Sequence, residues 1–476
     1  MANLNVLSER YATPETNDIF SEKGKIIAER ELWIAVMKAQ RELGVNIPAE
    51  DIEKFEAAKK DVDLDLIREI EERTRHDVKA KIEAFVKVSG AGEHLHRAMT
   101  SRDLTDNVEQ MQIMNASRLL LGRYVSVLKH FIYNARKYED IVLVARTHHQ
   151  PAQPTLLGRR FAMWAEELIL HLEDFEEFIS AYPLRGIKGA VGTQFDMLTL
   201  LGDSEKVDRL EEIVAQKLGF TFVLRAPGQV YPRSLDSSLV SHLSFLGSSP
   251  ENFGKTMRLM AGYELVEEGF QEGQVGSSAM PYKMNTRSSE RICSFAELLK
   301  MYADGASRLA GDQWEEGDVS CSALRRIIIP DAFYTSDGLC ETTLTVLNEM
   351  GAYPIVIEAE LDRYLPFMAT TEVLMMATQR GVGREAAHKA IKRHTTTEAL
   401  RMRKEGSKEN RVAELLANDP IFSDVGITRS DIERIIADRT HFIGNAKRQI
   451  DEVAVRAEKI TSRYPNESLY EPREIL

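Results

Sequence analysis

Apolar residues recur along this chain at steps of three and four far more often than in alternation. Phe161, Trp164, Leu168, Leu172, Phe175 and Phe178 keep that spacing and predict one buried helical face. Leu32, Trp33 and Met37 belong to a second such stretch, which Gly44 stops. Leu239, Leu243 and Leu246 begin a third, interrupted by the Gly247–Pro250 turn. Valine and isoleucine runs of strand type are rare, so the chain is expected to be mainly α. No internal repeat or low-complexity block appears.

Two breaks divide this pattern. Ser89 to Asn107 reads as loop before a long helical region, and Asp362 to Pro366 interrupts the spacing before a last helical segment. The expected units are an N-terminal helical domain (1–107), a central bundle of long helices (108–362) and a C-terminal helical domain (363–476). A bundle holds its polar sites at helix ends and in loops. The glycine- and histidine-bearing stretches fall in such places.

Composition narrows the class. With 43% hydrophobic and 28% charged residues over 476 positions, the chain is long enough for several packed domains. Its apolar runs, such as Leu324–Pro330 with two interrupting arginines, fall far short of the roughly 20 residues of a membrane span. Ala2–Arg10 is polar and lacks the apolar segment of a secretory signal. Three cysteines make no disulfide framework and no metal-ligand spacing, so the cytoplasm is the expected compartment. A net charge of −13 argues against a general nucleic-acid or anionic-membrane binder. A small anionic ligand remains compatible, provided that local arginines form a basic island.

Four groups carry candidate chemistry. Gly276-Ser277-Ser278-Ala279-Met280-Pro281-Tyr282-Lys283-Met284-Asn285 makes a poor helix and a good mobile loop. It offers hydroxyls, an ammonium and an amide. A lysine ammonium and backbone N–H groups can stabilise a serine alkoxide as base, or a carboxylate whose charge grows during reaction. The same composition also suits a plain solvent-exposed linker. Arg146-Thr147-His148-His149-Gln150-Pro151 brings imidazoles, the natural general acids near neutral pH. Such a histidine also serves as an internal hydrogen-bonding group. Thr74-Arg75-His76-Asp77-Val78, and His96 followed by Thr100-Ser101, supply further imidazole, guanidinium and hydroxyl groups, though helix N-caps use the same residues. Arg10-Tyr11, Arg291 and Arg325-Arg326 could clamp a phosphate.

Together these stretches resemble the aspartase/fumarase superfamily. GSSAMPYKMN at 276–285 is similar to its signature loop, and within the superfamily the chain most resembles the adenylosuccinate lyase family. RYA at 10–12, TRHDVKA at 74–80, MTSRDLTDN at 99–107, RTHHQPAQPT at 146–155, RGIKGAVGTQ at 185–194 and GQVYPR at 228–233 carry that resemblance in the family's order. It implies an all-α subunit of three domains with a central long-helix bundle. It further implies a homotetramer whose active sites each draw on three subunits. The implied substrates are adenylosuccinate and succinylaminoimidazole-carboxamide ribotide, both releasing fumarate without metal or organic cofactor.

By the same resemblance Ser277 is the base and His148 the acid, while His149 falls where other members carry unrelated residues. Arg10 and Tyr11 correspond to nucleotide-phosphate contacts. Arg75, His76, Asp77, Thr100, Ser101, Gln229, Arg291, Ser322 and Arg326 correspond to substrate-binding positions. Thr147, Lys283 and Asn285 correspond to positions near the succinyl carboxylates. The chain departs from the family at Met284 and Thr286, where arginine and proline are common, and at Gly317, where many members carry arginine. Arg325 is the neighbouring cation that could replace it.

Overall fold

The computed structural model describes residues 5–269, 280 and 282–473. A π-helical turn (Leu7–Tyr11) leads into helices α1 (Pro14–Phe20), α2 (Glu22–Glu42), α3 (Ala49–Ala57), α4 (Leu64–Thr74) and α5 (Asp77–Ser89). The central part holds α6 (Ser101–Lys137), strands β1 (Val142–Thr147) and β2 (Gln150–Leu156), α7 (Leu157–Ala181), α8 (Phe195–Leu201) and α9 (Ser204–Lys217). It continues through α10 (Ser234–Leu246), α11 (Ser248–Gly262), β3 (Val266–Glu267), α12 (Arg287–Ser307), α13 (Ser322–Glu349) and β4 (Gly351–Ala352). Helices α14 (Pro354–Met368), α15 (Thr370–Gln379), α16 (Arg384–Glu405), α17 (Val412–Ala417), α18 (Pro420–Ser423), α19 (Arg429–Ala437) and α20 (Ala446–Thr461) follow.

The spine is α6, whose 37 residues extend about 55 Å at the helical rise. Helices α7 and α13 pack along it, and α10, α11 and α12 complete the bundle. The expected face of α7 is buried through Phe161, Trp164, Leu168, Leu172 and Phe175, with Phe178 partly buried beside them. Phe253 of α11 meets this face edge-on, at 5.1 Å from Trp164 and 5.5 Å from Phe131 of α6. Leu32, Trp33 and Met37 of α2, and Leu239, Leu243 and Leu246 of α10, join the same core.

The breaks anticipated at 107 and 362 fall inside α6 and α14. Asn107 looked like loop because it is polar, yet it is buried and satisfied. Its amide donates to the carbonyls of Asp103 (2.7 Å) and Gly186 (2.9 Å), and its side-chain oxygen accepts from Gly186 N–H (2.9 Å). Beyond α14, Val373, Ala387, Leu416, Phe422 and Ile432 form a separate small core. Helix α20 then returns Ile450, Val453 and Ile460 to the main core.

Two short antiparallel ribbons interrupt the helices. In the first, Val142 pairs with Leu156 and Thr147 with Gln150, so His148 and His149 alone make the turn. Pro151 and Pro154 are tolerated because a two-stranded ribbon leaves half its N–H groups facing away from the partner strand.

Buried charges fasten the loops to α6. Asp103 Oδ1 accepts from the Arg185 guanidinium (2.6 Å) and from Lys188 N–H (2.8 Å) and Gly189 N–H (3.0 Å). Asp106 accepts from Arg102, Arg233 and Tyr231 N–H, each at 3.1 Å. Arg325 of α13 donates to Asp236 and Glu109, both at 2.6 Å, and to the Tyr231 hydroxyl. Burial pushes the Asp106 carboxyl upward against the pull of Arg233. Burial pushes Glu109 upward, but Arg325, Lys25 and Arg233 together outweigh it and hold that carboxyl below its usual range. Replacing Arg325 by methionine leaves Asp236 and Glu109 without their cation. The expected loss is about 3–5 kcal/mol of unfolding free energy, read by urea denaturation; an unchanged midpoint would refute this role.

Candidate active site

A two-residue hairpin loop that follows the strands' twist requires positive φ at both positions, usually supplied by glycine or asparagine. Here the pair is His148 (φ 49°) and His149 (φ 59°), an unfavourable choice for side-chain-bearing residues. The turn is pinned from one side. His149 Nε2 lies 3.3 Å from the Tyr263 hydroxyl, and the Arg146 guanidinium sits 4.5 Å above the Tyr263 ring while pairing with Glu360. His148 and Thr147 are exposed beside it, and the His148 imidazole makes no hydrogen bond to a described residue. A rigid turn thus presents one histidine outward and fixes the other.

Ser277 lies outside the described residues, as does half of the expected signature loop. Lys283 and Asn285 are described, and they line a cavity of about 470 Å³ with Glu264, Glu267 and Tyr353. The Glu268 carboxylate accepts from Ser288 N–H (2.8 Å), Ser289 N–H (2.9 Å) and the Ser289 hydroxyl (2.8 Å). It thereby satisfies the N-terminal donors of α12, the helix that carries Arg291. This group lies at the end of the bundle where α6 and α13 finish. Tyr138 donates to Met350 O at 3.3 Å there, and Tyr353 N–H to Leu265 O at 2.9 Å.

Thr100 and Ser101 start α6 at the opposite end. Thr100 N–H donates to Asp103 at 2.8 Å, tying the helix start to the carboxylate that gathers the 185–189 segment. Arg185 also reaches Gly228 O (3.2 Å), next to Gln229. Gln229 N–H donates to Glu316 O at 2.6 Å. A Cβ at Gly317 would stand 2.8 Å from Gln229 Cβ, and one at Gly228 would stand 2.1 Å from Glu316 O. Glycine at 317 is therefore what lets the two loops close on each other. Arg325 does not stand in for an arginine there, being 4% exposed and committed to Asp236 and Glu109. Ser322 and Arg326, one turn apart at the start of α13, are at this same end. Arg326 lines a cavity of about 380 Å³ with Lys25 and Phe20.

Arg75 caps α4 in the left-handed region (φ 56°), and His76 caps α5 by accepting Lys79 N–H at 3.3 Å. Together with Asp77 they are exposed, and His76 acts electrostatically on His96. Arg10, Tyr11 and Arg291 form a third group midway along the bundle. Tyr11 meets Phe295 edge-on at 5.0 Å, and Arg291 lies 5.4 Å from the Tyr11 ring centre.

One chain therefore brings the expected residues together in three separate groups. His148 and Ser101 are separated by most of the length of α6, on the order of 50 Å. No substrate of a few ångströms bridges that gap. The sequence reading missed Tyr263, Glu268 and Asp103, which position the motifs without belonging to them. Asp103 carried a legible signal, a carboxylate three residues after the helix-capping Thr100. Among the described residues no group of three His, Cys, Asp or Glu side chains could hold a metal ion, and no helix is long and apolar enough to cross a membrane.

Residues 10–297 match the family model described as Lyase, and residues 366–453 match that of the adenylosuccinate lyase C-terminus; residues after 453 lie in neither. The chain is 34% identical over 451 residues to an adenylosuccinate lyase of Schistosoma mansoni, covering 94% of this chain and 93% of that one. It is also 34% identical over 453 residues to an adenylosuccinate lyase of Saccharomyces cerevisiae, covering 94% and 92%. Among solved structures it is similar to a 3-carboxy-cis,cis-muconate lactonizing enzyme from Pseudomonas putida (TM-score 0.80, 20% identity, 96% of this chain and 100% of that one). A fumarate lyase from Mesorhizobium is similar too (TM-score 0.77, 21% identity, 94% and 98%). At those identities the structural likeness bears on the fold, and it agrees with the all-α expectation.

His96 allows a test of the end near Ser101. Its Nδ1 accepts from the Trp33 indole at 3.1 Å, and burial holds its pKa below the ordinary 6.5, with His76 adding to the shift and Asp103 opposing it. The unfolded chain therefore takes up this proton at higher pH than the folded one. The stability due to neutral His96 is present above about pH 6.5 and is lost as pH falls through the folded-state value. His242, lowered by burial too, contributes in parallel. His96→Gln should flatten the fall in melting temperature between about pH 7 and 5; an unaltered slope would contradict the assignment.

Proposed function

We propose, from the premise that the chain belongs to the adenylosuccinate lyase family, that it eliminates fumarate from adenylosuccinate to give AMP. The same reaction would convert succinylaminoimidazole-carboxamide ribotide to AICAR in purine nucleotide biosynthesis. One observation carries this reading: the family's motifs occur in order along a chain that matches its relatives over nearly full length.

The chemistry is a β-elimination. The proton leaves the succinyl carbon next to the carboxylate that stays clear of the C–N bond, and its electrons move onto that carboxylate. Ser277 takes the proton. The Lys283 ammonium and the Asn285 amide hold the doubly negative carboxylate, a stabilisation needed because that proton is weakly acidic. The electrons then return, the C–N bond breaks, and His148 gives its proton to the departing purine amine. The bond made (C=C) and the bonds broken (C–H and C–N) balance with one proton taken and one given, so the step is redox-neutral. The pinned turn at His149 supports the acid role, because it holds the His148 imidazole out in a fixed direction.

The separation of the three residue groups supports a site shared by several subunits of a homotetramer. Half-exposed apolar residues along the bundle support the same assembly: Met163 and Leu170 on α7, Leu259 on α11, Met301 on α12 and Ile327 on α13. Cys293, Cys321 and Cys340 are buried and unpaired, which supports a reducing cytoplasmic setting.

Two substitutions test the roles. Ser277→Ala and His148→Gln should each lower turnover of adenylosuccinate by about 10²–10⁴-fold while AMP still binds, as followed by absorbance and equilibrium titration. Wild-type turnover in either variant removes that residue from its role. Failure of the unmodified protein to cleave adenylosuccinate would sink the whole reading.

A further inference from the structure

The last described residues run back across the bundle to the expected phosphate group, and they lie outside both matched family ranges. Their route begins at Gly122 in the interior of α6. A Cβ there would stand 2.9 Å from Glu467 Cγ, so the helix accepts glycine where the chain crosses it. Ser126, one turn on, donates to Tyr470 O at 2.7 Å, and the Arg123 guanidinium covers the Tyr470 ring at 3.1 Å. Both ends of this crossing meet Glu341 of α13, a fully buried carboxylate. Glu341 accepts from the Tyr470 hydroxyl at 2.5 Å and from Arg473 N–H at 3.0 Å. The Arg473 guanidinium then donates to the carbonyl of Ala12, the residue after Tyr11.

The same stretch of α13 holds the Arg10–Tyr11 turn from the other side. Asp337, one turn before Glu341, accepts from Thr13 N–H (2.6 Å), the Thr13 hydroxyl (2.8 Å) and the Thr16 hydroxyl (2.8 Å). Gly338 lets Tyr11 lie close, since a Cβ there would stand 2.9 Å from Tyr11 Cβ. Arg123 joins the two supports, with Nε 3.9 Å from Asp337 Oδ1 and its guanidinium on Tyr470. Asp337 fixes residues 13–16, whereas the carbonyl directly behind Tyr11 accepts from the Arg473 guanidinium and, at 3.5 Å, from the Asn17 amide.

We propose that residues 467–473 form a strap that positions the Arg10–Tyr11 turn, making Arg473 a positioning residue for the nucleotide phosphate. The inference rests on the reading of Arg10 and Tyr11 as phosphate contacts. Among the described residues the strap touches none of the groups assigned to the chemical step, so its loss is expected to act on phosphate binding and leave that step alone.

The test uses the full chain and AMP as probe. Arg473→Ala should bind AMP roughly three- to tenfold more weakly, the scale of one lost hydrogen bond. It should raise KM for adenylosuccinate while kcat stays within about twofold. Arg473→Lys, which keeps a donor, should recover most of the affinity. A merely structural strap would instead lower the melting temperature with AMP affinity unchanged, and that result overturns the proposal. So does a fall in kcat with KM constant. Arg10→Ala, measured in parallel, separates the two readings. If Arg10→Ala weakens AMP binding and Arg473→Ala does not, the strap alone fails. If Arg10→Ala binds AMP like the wild type, the phosphate reading fails and the strap's role falls with it.

Discussion

The buried charge pairs between α6, the loops beside it and α13 are what the rest of the structure depends on. Asp103 and Asp106 lie on one face of α6, and both are sealed from water. A carboxylate in that position is tolerable only with cations and N–H donors around it. Arg185 and Arg233 supply the cations, and Arg325 pairs with the neighbouring Glu109 and Asp236, each from a different segment, so the pairing dictates which segments gather at this end of the bundle. Hydrophobic packing would hold six long helices together in many registers. The ion pairs select one, and in doing so they bring the segments of Gln229, Ser322 and Ser101 to the same end of the bundle.

The length of α6 sets the second constraint. A straight helix of 37 residues puts the residues at its two ends far beyond the reach of one substrate. The motifs at those ends can share a reaction only if another copy of the chain supplies the complement. The reaction proposed above needs the substrate-binding groups of both ends on one small molecule, and on that reading the site is shared between copies of the chain.

Much of this was legible in the residues. The α7 stripe from Phe161 to Phe175 and the α2 stripe at Leu32–Met37 were readable because burial imposes a spacing of three and four. The start of α6 was not, because Asp103, Asp106 and Asn107 are polar, and nothing local distinguishes a buried, paired aspartate from an exposed one. The hairpin was hidden for a similar reason. Two histidines and two prolines look unlike a strand pair, and only Tyr263, more than a hundred positions away, explains why the turn holds. Gly317 read as a missing cation; in three dimensions it is a contact point, where Gln229 leaves no room for a side chain. Ser277, central to the signature, lies outside the described residues, so its role rests on the motif.

Our central proposal is that base and acid meet across subunits. Its most direct test mixes inactive Ser277→Ala and His148→Gln proteins, lets their subunits exchange, and measures adenylosuccinate cleavage. If each site takes Ser277 from one chain and His148 from another, random mixing should return activity in about a quarter of the sites. Activity no greater than that of the separate variants, after exchange is verified, would contradict the shared site.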